Sequence, residues 1–255
     1  MPRKILGVIP ARYDSSRFPG KVLAQISSKT MLQHVYERCS DARYLSSTII
    51  ATDDERIYKV AKSFGARVRM TRADHPSGTD RVAEVASSES AQIVVNIQGD
   101  EPLIDPSAID AAVLPLVHDP DIVMGTLKKR IEDPREITDP NVVKVVTNRS
   151  GDAIFFSRCP IPYVRSGSPS VRPGPHYKHI GLYVYRRDFL LQYPTLPIGP
   201  LEQAERLEQL RALENGYPIR VVETEYESLG VDTPEDLERV SQLFMASTME
   251  GEFHG

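Results

Sequence analysis

Apolar and polar positions fall in short blocks along this chain, and the blocks switch repeatedly between a period of two and a period near 3.6. Ile5, Leu6, Gly7, Val8 and Ile9 form an apolar run that Pro10 ends, which reads as a buried strand. Met31, Leu32, Val35, Tyr36 and Cys39 then recur at helical spacing, and Thr48 to Ala51 is a β-branched strand. Asp53 or Asp54 can cap a helix carrying Ile57, Val60, Ala61 and Phe64, and Gly65 stands at its stop. Val68 and Met70 flank a brief strand. The polar, turn-rich stretch from Thr71 to Thr79 leads into a helix with Val82, Val85 and Ala86; His75 within it reads as a solvated loop histidine.

Ile93 to Ile97 is the strongest candidate for a central strand, because a continuous apolar run implies cover on both faces. A helix with Ile109, Val113 and Val117 follows, then strands at Ile122–Thr126 and Val142–Val146. Ser150, Gly151 and Asp152 make a turn into Ala153–Phe156, a hairpin signal that predicts a mixed sheet. Residues 159 to 178 break the rhythm with Pro160, Pro162, Pro169, Pro173 and Pro175, an excursion that points to function or a partner surface. A strand at Gly181–Tyr185 follows. A helix striped by Leu201, Leu207, Leu210 and Leu213, with Glu202 and Glu205 as solvated charges, is stopped by Gly216 and Pro218. Ile219–Val222 is a late strand. Thr233 as N-cap, Pro234 at N1 and Asp236 at N3 open the last helix, and residues 247–255 read as a frayed polar tail.

This alternation predicts an α/β fold. At 255 residues without a linker-like segment, one domain spanning 1–255 is expected. A hydrophobic fraction of 40%, a charged fraction of 26% and a net charge of -4 are those of an ordinary globular protein, with no bulk attraction to nucleic acid or an anionic membrane. Cys39 and Cys159 form no ligand motif and read as ordinary thiols. The five-residue apolar run near the N-terminus is too short for a signal peptide, and no run reaches membrane-spanning length, so a cytoplasmic protein is expected.

Three places carry candidate chemistry. The loop from Ala11 to Lys21 holds Arg12, Arg17 and Lys21 among Ser, Pro and Gly, and could bind an anion or be a solvated basic loop; it is neither a Walker A loop nor a dinucleotide turn. Asp100 follows the central strand, where open α/β sheets place ligands, and could carry a hard cation or merely close a turn. Asp232 lies just outside the last helix cap, which does not need it.

The segments Ile9–Lys21, Ala51-Thr-Asp53, Ser77–Arg81, Asn96–Pro102, Phe156-Ser-Arg158, Lys178–Tyr183, Leu207–Arg211 and Gly230–Asp236, in this order, closely resemble the 3-deoxy-manno-octulosonate cytidylyltransferases. The resemblance implies a single-domain nucleotidyltransferase fold with a mixed β-sheet flanked by helices, working as a homodimer with Mg²⁺. The implied reaction joins CMP from CTP to the sugar acid 3-deoxy-D-manno-octulosonate (KDO) and releases pyrophosphate, for lipopolysaccharide core biosynthesis. The implied roles put Arg12, Arg17 and Lys21 on the triphosphate, and Ala11, Ser77, Gly78 and Thr79 near the cytosine and ribose. Asp100 and Asp232 match the metal-binding aspartates. Gln98, Arg158, His179, Tyr183 and Glu208 match residues lining the sugar site. Phe18 stands where leucine is frequent, and residues 160–176 do not align with the pattern. An 8-amino analogue of KDO or a sialic acid as substrate, a hexose-1-phosphate nucleotidylyltransferase, and a nucleotide-binding module without catalysis are the alternatives.

Overall fold

The computed structural model describes residues 4–15, 17–165 and 176–252. Pro169, Pro173 and Pro175 of the Pro-rich excursion lie outside the described residues. The chain forms two compact units, one of Met1–Asp110 with Ser228–Gly255 and one of Ala111–Glu227.

The first unit is built on a parallel sheet. The strands of that sheet are β1 (Ile5–Ala11), β4 (Ser47–Thr52), β5 (Val68–Met70) and β6 (Ile93–Asn96), while the short β2 (Gln25–Ile26) and β3 (Lys29–Thr30) pair with each other antiparallel as a separate two-stranded sheet. Its helices are α1 (Met31–Ser40), α2 (Glu55–Ser63), α3 (Gly78–Ser87), the start of α4 (Pro106–His118) and, from the end of the chain, the last helix (Pro234–Glu252). β1 pairs in parallel with β4 on one side and β6 on the other, and β5 extends the sheet beyond β4. Parallel neighbours need crossovers, which α1, α2 and α3 supply. Val8, Ile9, Ile50, Val94 and Val95 are wholly buried, as the unbroken apolar runs predict.

Pro10 does not end β1; the strand runs on through Ala11, with Pro10 opposite Ala51. The reason is parity. The Val8 carbonyl accepts from Ile97 N, so Pro10, two residues on, directs its absent N–H to the same side, where β6 has already finished at Asn96. The caps follow the sequence signals: Thr30 receives Gln33 N, Asp54 receives Arg56 N, and Ser77 receives Asp80 N. Asp53 is left free for another task. It pairs at 2.9 Å with Arg81, whose side chain is fully buried and also reaches the Thr71 hydroxyl. This ties the loop after β4 and the segment after β5 to α3.

The second unit carries β7 (Met124–Arg130), α5 (Arg135–Thr138), β8 (Lys144–Thr147), β9 (Ala153–Ser157), β10 (Tyr177–Arg186), α6 (Arg187–Gln192), α7 (Pro200–Glu205), α8 (Leu210–Glu214) and β11 (Arg220–Glu223); the last helix of the chain is α9. β7 is antiparallel to β10 and parallel to β11, and β8 and β9 form the expected hairpin. The mixed sheet read from the sequence is present. β7 and β10 reach further than their apolar cores, because Lys128, Lys129, Lys178 and His179 continue the ladder with polar side chains that the periodicity could not claim.

The helix read across Leu201–Leu213 is two helices. Arg206 adopts φ 52 between α7 and α8, a left-handed turn that no helix continues through. Glu202 and Glu205 are not solvated charges. Glu202 lies buried against Arg211 in a two-bond pair at 2.6 and 2.8 Å, and Glu205 accepts from Ser157 Oγ and Arg158 N. At the chain end, α9 runs to Glu252 and opens on the predicted Thr233–Asp236 capping box.

Arg81→Leu should cost about 3 kcal/mol, because it leaves Asp53 without its buried cation and strips the Thr71 hydroxyl of a charged donor. Urea denaturation of the wild type and variant measures this; a loss under 1 kcal/mol would mean that the Arg81 pair does not fix α3.

Candidate active site

The loop from Ala11 to Lys21 is anchored at both ends and in its middle. Gly20 N donates to the Tyr13 carbonyl at 2.7 Å, and Gly20 sits at φ 71, where a Cβ would meet the Tyr13 ring at 2.9 Å. Only glycine fits there. Phe18 packs against the buried cluster of Ile26, Met31, Val231 and Val240, so the middle of the loop is pinned next to the segment that precedes α9. That contact places Arg17 and Lys21 beside Asp232.

Lys21 then becomes the centre of the arrangement. Its Nζ donates to Asp100 Oδ2 at 2.5 Å and to Asp232 Oδ1 at 2.8 Å, while Arg17 Nη2 donates to Asp232 Oδ2 at 2.8 Å. The two aspartates, remote in sequence, meet at one nitrogen, and Val231 N donates to the Asp100 carbonyl at 2.9 Å to hold their backbones in step. Burial pulls the Lys21 ammonium toward deprotonation, but Asp100 and Asp232 outweigh it and hold its pKa above the ordinary lysine value.

Beside this cluster opens a cleft of about 380 Å³, lined by Pro10, Arg12, Lys21, Gly78, Gln98 and Asp100 among others. Gly99 forms part of its wall, and a Cβ there would lie 3.2 Å from the Pro10 carbonyl oxygen, so the loop after β6 passes β1 closely enough that a larger residue would force the backbones slightly apart. Arg12 donates to the His75 carbonyl at 2.9 Å. His75 is not a solvated loop histidine: its Nε2 contacts Glu84 Oε2 and its side chain is only 11% exposed. The histidine thus fixes the loop on which Arg12 leans. Ser77 spends its hydroxyl on the α3 cap, Gly78 faces the cleft, and Ala11 and Thr79 are buried.

Arg158, His179, Tyr183 and Glu208 belong to the second unit. His179 and Tyr183 share one face of β10, with ring centroids 5.4 Å apart. Burial drives the His179 imidazole down to about 3, and burial, then Tyr193 and Glu208, drives the Tyr183 phenol well above its usual value; both rings are neutral. Glu208 lies between α7 and α8, its carbonyl accepting from the Tyr193 hydroxyl at 2.7 Å. The Arg158 guanidinium donates to the carbonyls of Glu205 and Pro140 at 2.8 and 2.9 Å. Any substrate it meets competes with those bonds.

Two carboxylates suit a hard cation that completes its shell from phosphate and water. Among the described residues no group of three or more His, Cys, Asp or Glu could hold a metal by itself. The ammonium lodged between Asp100 and Asp232 is a cation in such a place, so the residues fit Mg²⁺ brought together with a polyphosphate.

A family model for cytidylyltransferases matches residues 6–225. Over its full 255 residues the chain is 78% identical to the whole of the 3-deoxy-manno-octulosonate cytidylyltransferase of Solibacter usitatus. The chain belongs to the 3-deoxy-manno-octulosonate cytidylyltransferases. The cytidylyltransferase of that name from Geobacter metallireducens is 57% identical, over 93% of this chain and 96% of its own length. Among solved structures, a CMP:2-keto-3-deoxy-manno-octonic acid synthetase in complex with CTP superposes with a TM-score of 0.91 at 44% identity, covering 96% of this chain and 99% of that one. A 4-diphosphocytidyl-2C-methyl-D-erythritol synthase from Anaerococcus prevotii, at 12% identity and a TM-score of 0.63 over 96% of this chain and 100% of its own, shares the nucleotidyltransferase fold alone.

The pH dependence of this cytidylyltransferase follows from Lys21. Its folded pKa exceeds the unfolded value of 10.5, so the stabilisation is complete below pH 10.5 and is lost as the pH rises through the folded value. Lys21→Met should be less stable than the wild type at neutral pH, and the gap should narrow above pH 10.5. Chemical denaturation of both proteins across that range checks it; a gap independent of pH would show that the ammonium contributes nothing through its charge.

Proposed function

We propose that the protein transfers CMP from CTP to the anomeric hydroxyl of KDO, releasing pyrophosphate, with Mg²⁺ as cofactor. The observation that carries this reading is the meeting of Lys21, Arg17, Asp100 and Asp232 beside a cleft rimmed by Arg12, Gly78 and Gln98. The sugar oxygen attacks the α-phosphorus, the bond to pyrophosphate breaks, and the hydroxyl proton leaves to solvent. Negative charge grows on the non-bridging and leaving oxygens, which Arg12, Arg17 and Lys21 are the cations to meet. When bound, Mg²⁺ neutralises phosphate charge and lowers the pKa of a coordinated hydroxyl. Asp100 and Asp232 would hold it, and their lone pairs, committed to cations, are poorly suited to act as a general base.

Lys21 gives this site a sequence of events. Without nucleotide its ammonium occupies the carboxylates that a metal needs; a triphosphate offers the lysine a better-matched anion and frees them. Asp100 and Asp232 would therefore be open to a divalent cation only once CTP has drawn Lys21 away from them. Gln98, Arg158, His179, Tyr183 and Glu208 are read as sugar-site residues, and Ala11, Ser77, Gly78 and Thr79 as contacts to the nucleoside.

We take the enzyme to act as a homodimer in the cytoplasm. Among the described residues no helix is long and apolar enough to cross a membrane. Light scattering on the purified protein measures the state. Pyrophosphate release with CTP, Mg²⁺ and KDO, run beside sialic acid, the 8-amino analogue and UTP, tests the reaction; turnover with a sugar phosphate instead of KDO would overturn it.

Asp100→Asn and Asp232→Asn should each nearly abolish turnover in a folded protein, and the double variant should be little worse, as for groups acting as a unit. Fully multiplicative losses would separate their roles. Arg17→Ala and Lys21→Met should each slow turnover on the order of a hundredfold. Lys21→Met should nevertheless bind Mn²⁺ more tightly than the wild type when no CTP is present, measured by electron paramagnetic resonance. Unchanged or weaker Mn²⁺ binding would remove the placeholder role of the lysine.

A further inference from the structure

β7 and β10 pair antiparallel, but their register slips between Ile180 and Tyr183, so that Gly181 and Leu182 are additional residues opposite Leu127 and Thr126. Such a slip is a β-bulge. Thr126, wholly buried, fills it. Its Oγ1 lies 2.8 Å from the Leu182 carbonyl oxygen, 3.1 Å from the Ile180 carbonyl oxygen and 2.9 Å from His179 Nε2.

A threonine hydroxyl has one proton to give and two lone pairs to offer. Carbonyl oxygens only accept, so the hydroxyl proton goes to one of them. A bare Nε2 would add a third acceptor around a single proton, with none between the nitrogen and the oxygen. An N–H at Nε2 instead places a proton in that contact: the hydroxyl accepts from Nε2 and keeps its own proton for a carbonyl. His179 is therefore the Nε2–H tautomer, and its Nδ1 is an acceptor to which no described residue donates. Burial holds the imidazole pKa down at about 3, so this acceptor persists at neutral pH. The surroundings leave room for a ligand. His179, Gly181 and Tyr183 alternate on one face of β10, and a Cβ placed on Gly181 would meet nothing within 4 Å. The Phe156 ring stands edge-on at 4.9 Å from the imidazole.

We propose that Thr126 is a positioning residue for the transfer, fixing His179 as the Nε2–H tautomer so that Nδ1 accepts a hydrogen bond from a hydroxyl of the acceptor sugar. This rests on the reading of the substrate as a sugar acid. An ionised carboxylate only accepts, so it is repelled by Nδ1, whereas a hydroxyl is welcomed. The pair thereby sorts the polyol end of the substrate from its acid end, and it excludes a charged imidazolium that would have drawn the carboxylate.

Nitrogen-15 NMR of histidine-labelled protein reads the tautomer directly, the His179 signals being those lost in His179→Gln. In the wild type Nε2 should carry the proton and Nδ1 should be bare. Adding KDO with CTP should shift Nδ1. Thr126→Val, which replaces the hydroxyl by a methyl, should give a tautomer mixture and raise the KM for KDO about tenfold, the loss of one hydrogen bond, with the KM for CTP unchanged. Thr126→Ser should restore both the tautomer and the KM. A protonated Nδ1 in the wild type overturns the proposal without any variant, and so does an unmoved KM for KDO in a Thr126→Val protein whose tautomer has changed. Wild-type protein that shows the Nε2–H form yet does not use KDO would defeat the sugar-acid reading, and the Nδ1 contact with it, while upholding the tautomer lock.

Discussion

The ammonium of Lys21 is what allows two carboxylates to occupy one place. Asp100 leaves the buried strand β6 and Asp232 precedes α9, and the hydrogen bond from Val231 N to the Asp100 carbonyl commits their backbones to closeness. Like charges brought together at a partly desolvated surface repel, and the protein must supply a cation to hold them. It supplies Lys21, with Arg17 closing the outer side of Asp232. The supporting features follow from getting that lysine there. Gly20 takes the left-handed turn against Tyr13, Phe18 is buried beside Val231 and Val240, and Gly99 lets the Asp100 loop pass the Pro10 carbonyl.

A site held together in this way is internally neutralised by its own side chains, and the proposed function has it exchange one cation for another. The four charged groups that hold this arrangement together, Lys21, Arg17, Asp100 and Asp232, are those that a triphosphate and a divalent ion would redistribute on that function. The loops around the site are tied down by other groups. Arg81 binds Asp53 to α3, His75 contacts Glu84 and steadies the loop that receives Arg12, and both lie outside the exchange.

The strands and most caps were legible because each depends on residues close in sequence: apolar runs at β1, β4 and β6, the capping box at Thr233–Asp236, and turn chemistry at Gly151. The aspartates and the basic loop were legible as residue types, and the resemblance across eight segments joined them. Long-range electrostatics were not legible. Nothing local to Glu202 or Glu205 distinguishes a solvated helix face from a carboxylate buried against Arg211 or receiving Ser157 and Arg158, nor does the neighbourhood of His75 announce Glu84. Pro10 misled for a related reason: whether a missing N–H ends a strand depends on which neighbour it would have faced, and that is a property of the sheet.

Thr126 illustrates the same limit more sharply. In the sequence it is one more residue of an apolar strand, and its role appears only when β7 and β10 are paired and the register slips by Gly181 and Leu182. The slip turns a strand hydroxyl into the arbiter of a histidine tautomer. The two units therefore control protons and charge by different means. In the first, cations and carboxylates neutralise one another and remain exchangeable, which suits phosphate chemistry. In the second, burial keeps His179 and Tyr183 neutral, and on the tautomer proposed above a single hydroxyl decides which ring nitrogen accepts, which would suit the discrimination of hydroxyls on an uncharged stretch of sugar. A charged histidine at that position would bind more strongly and select less well, since it would take either end of a sugar acid.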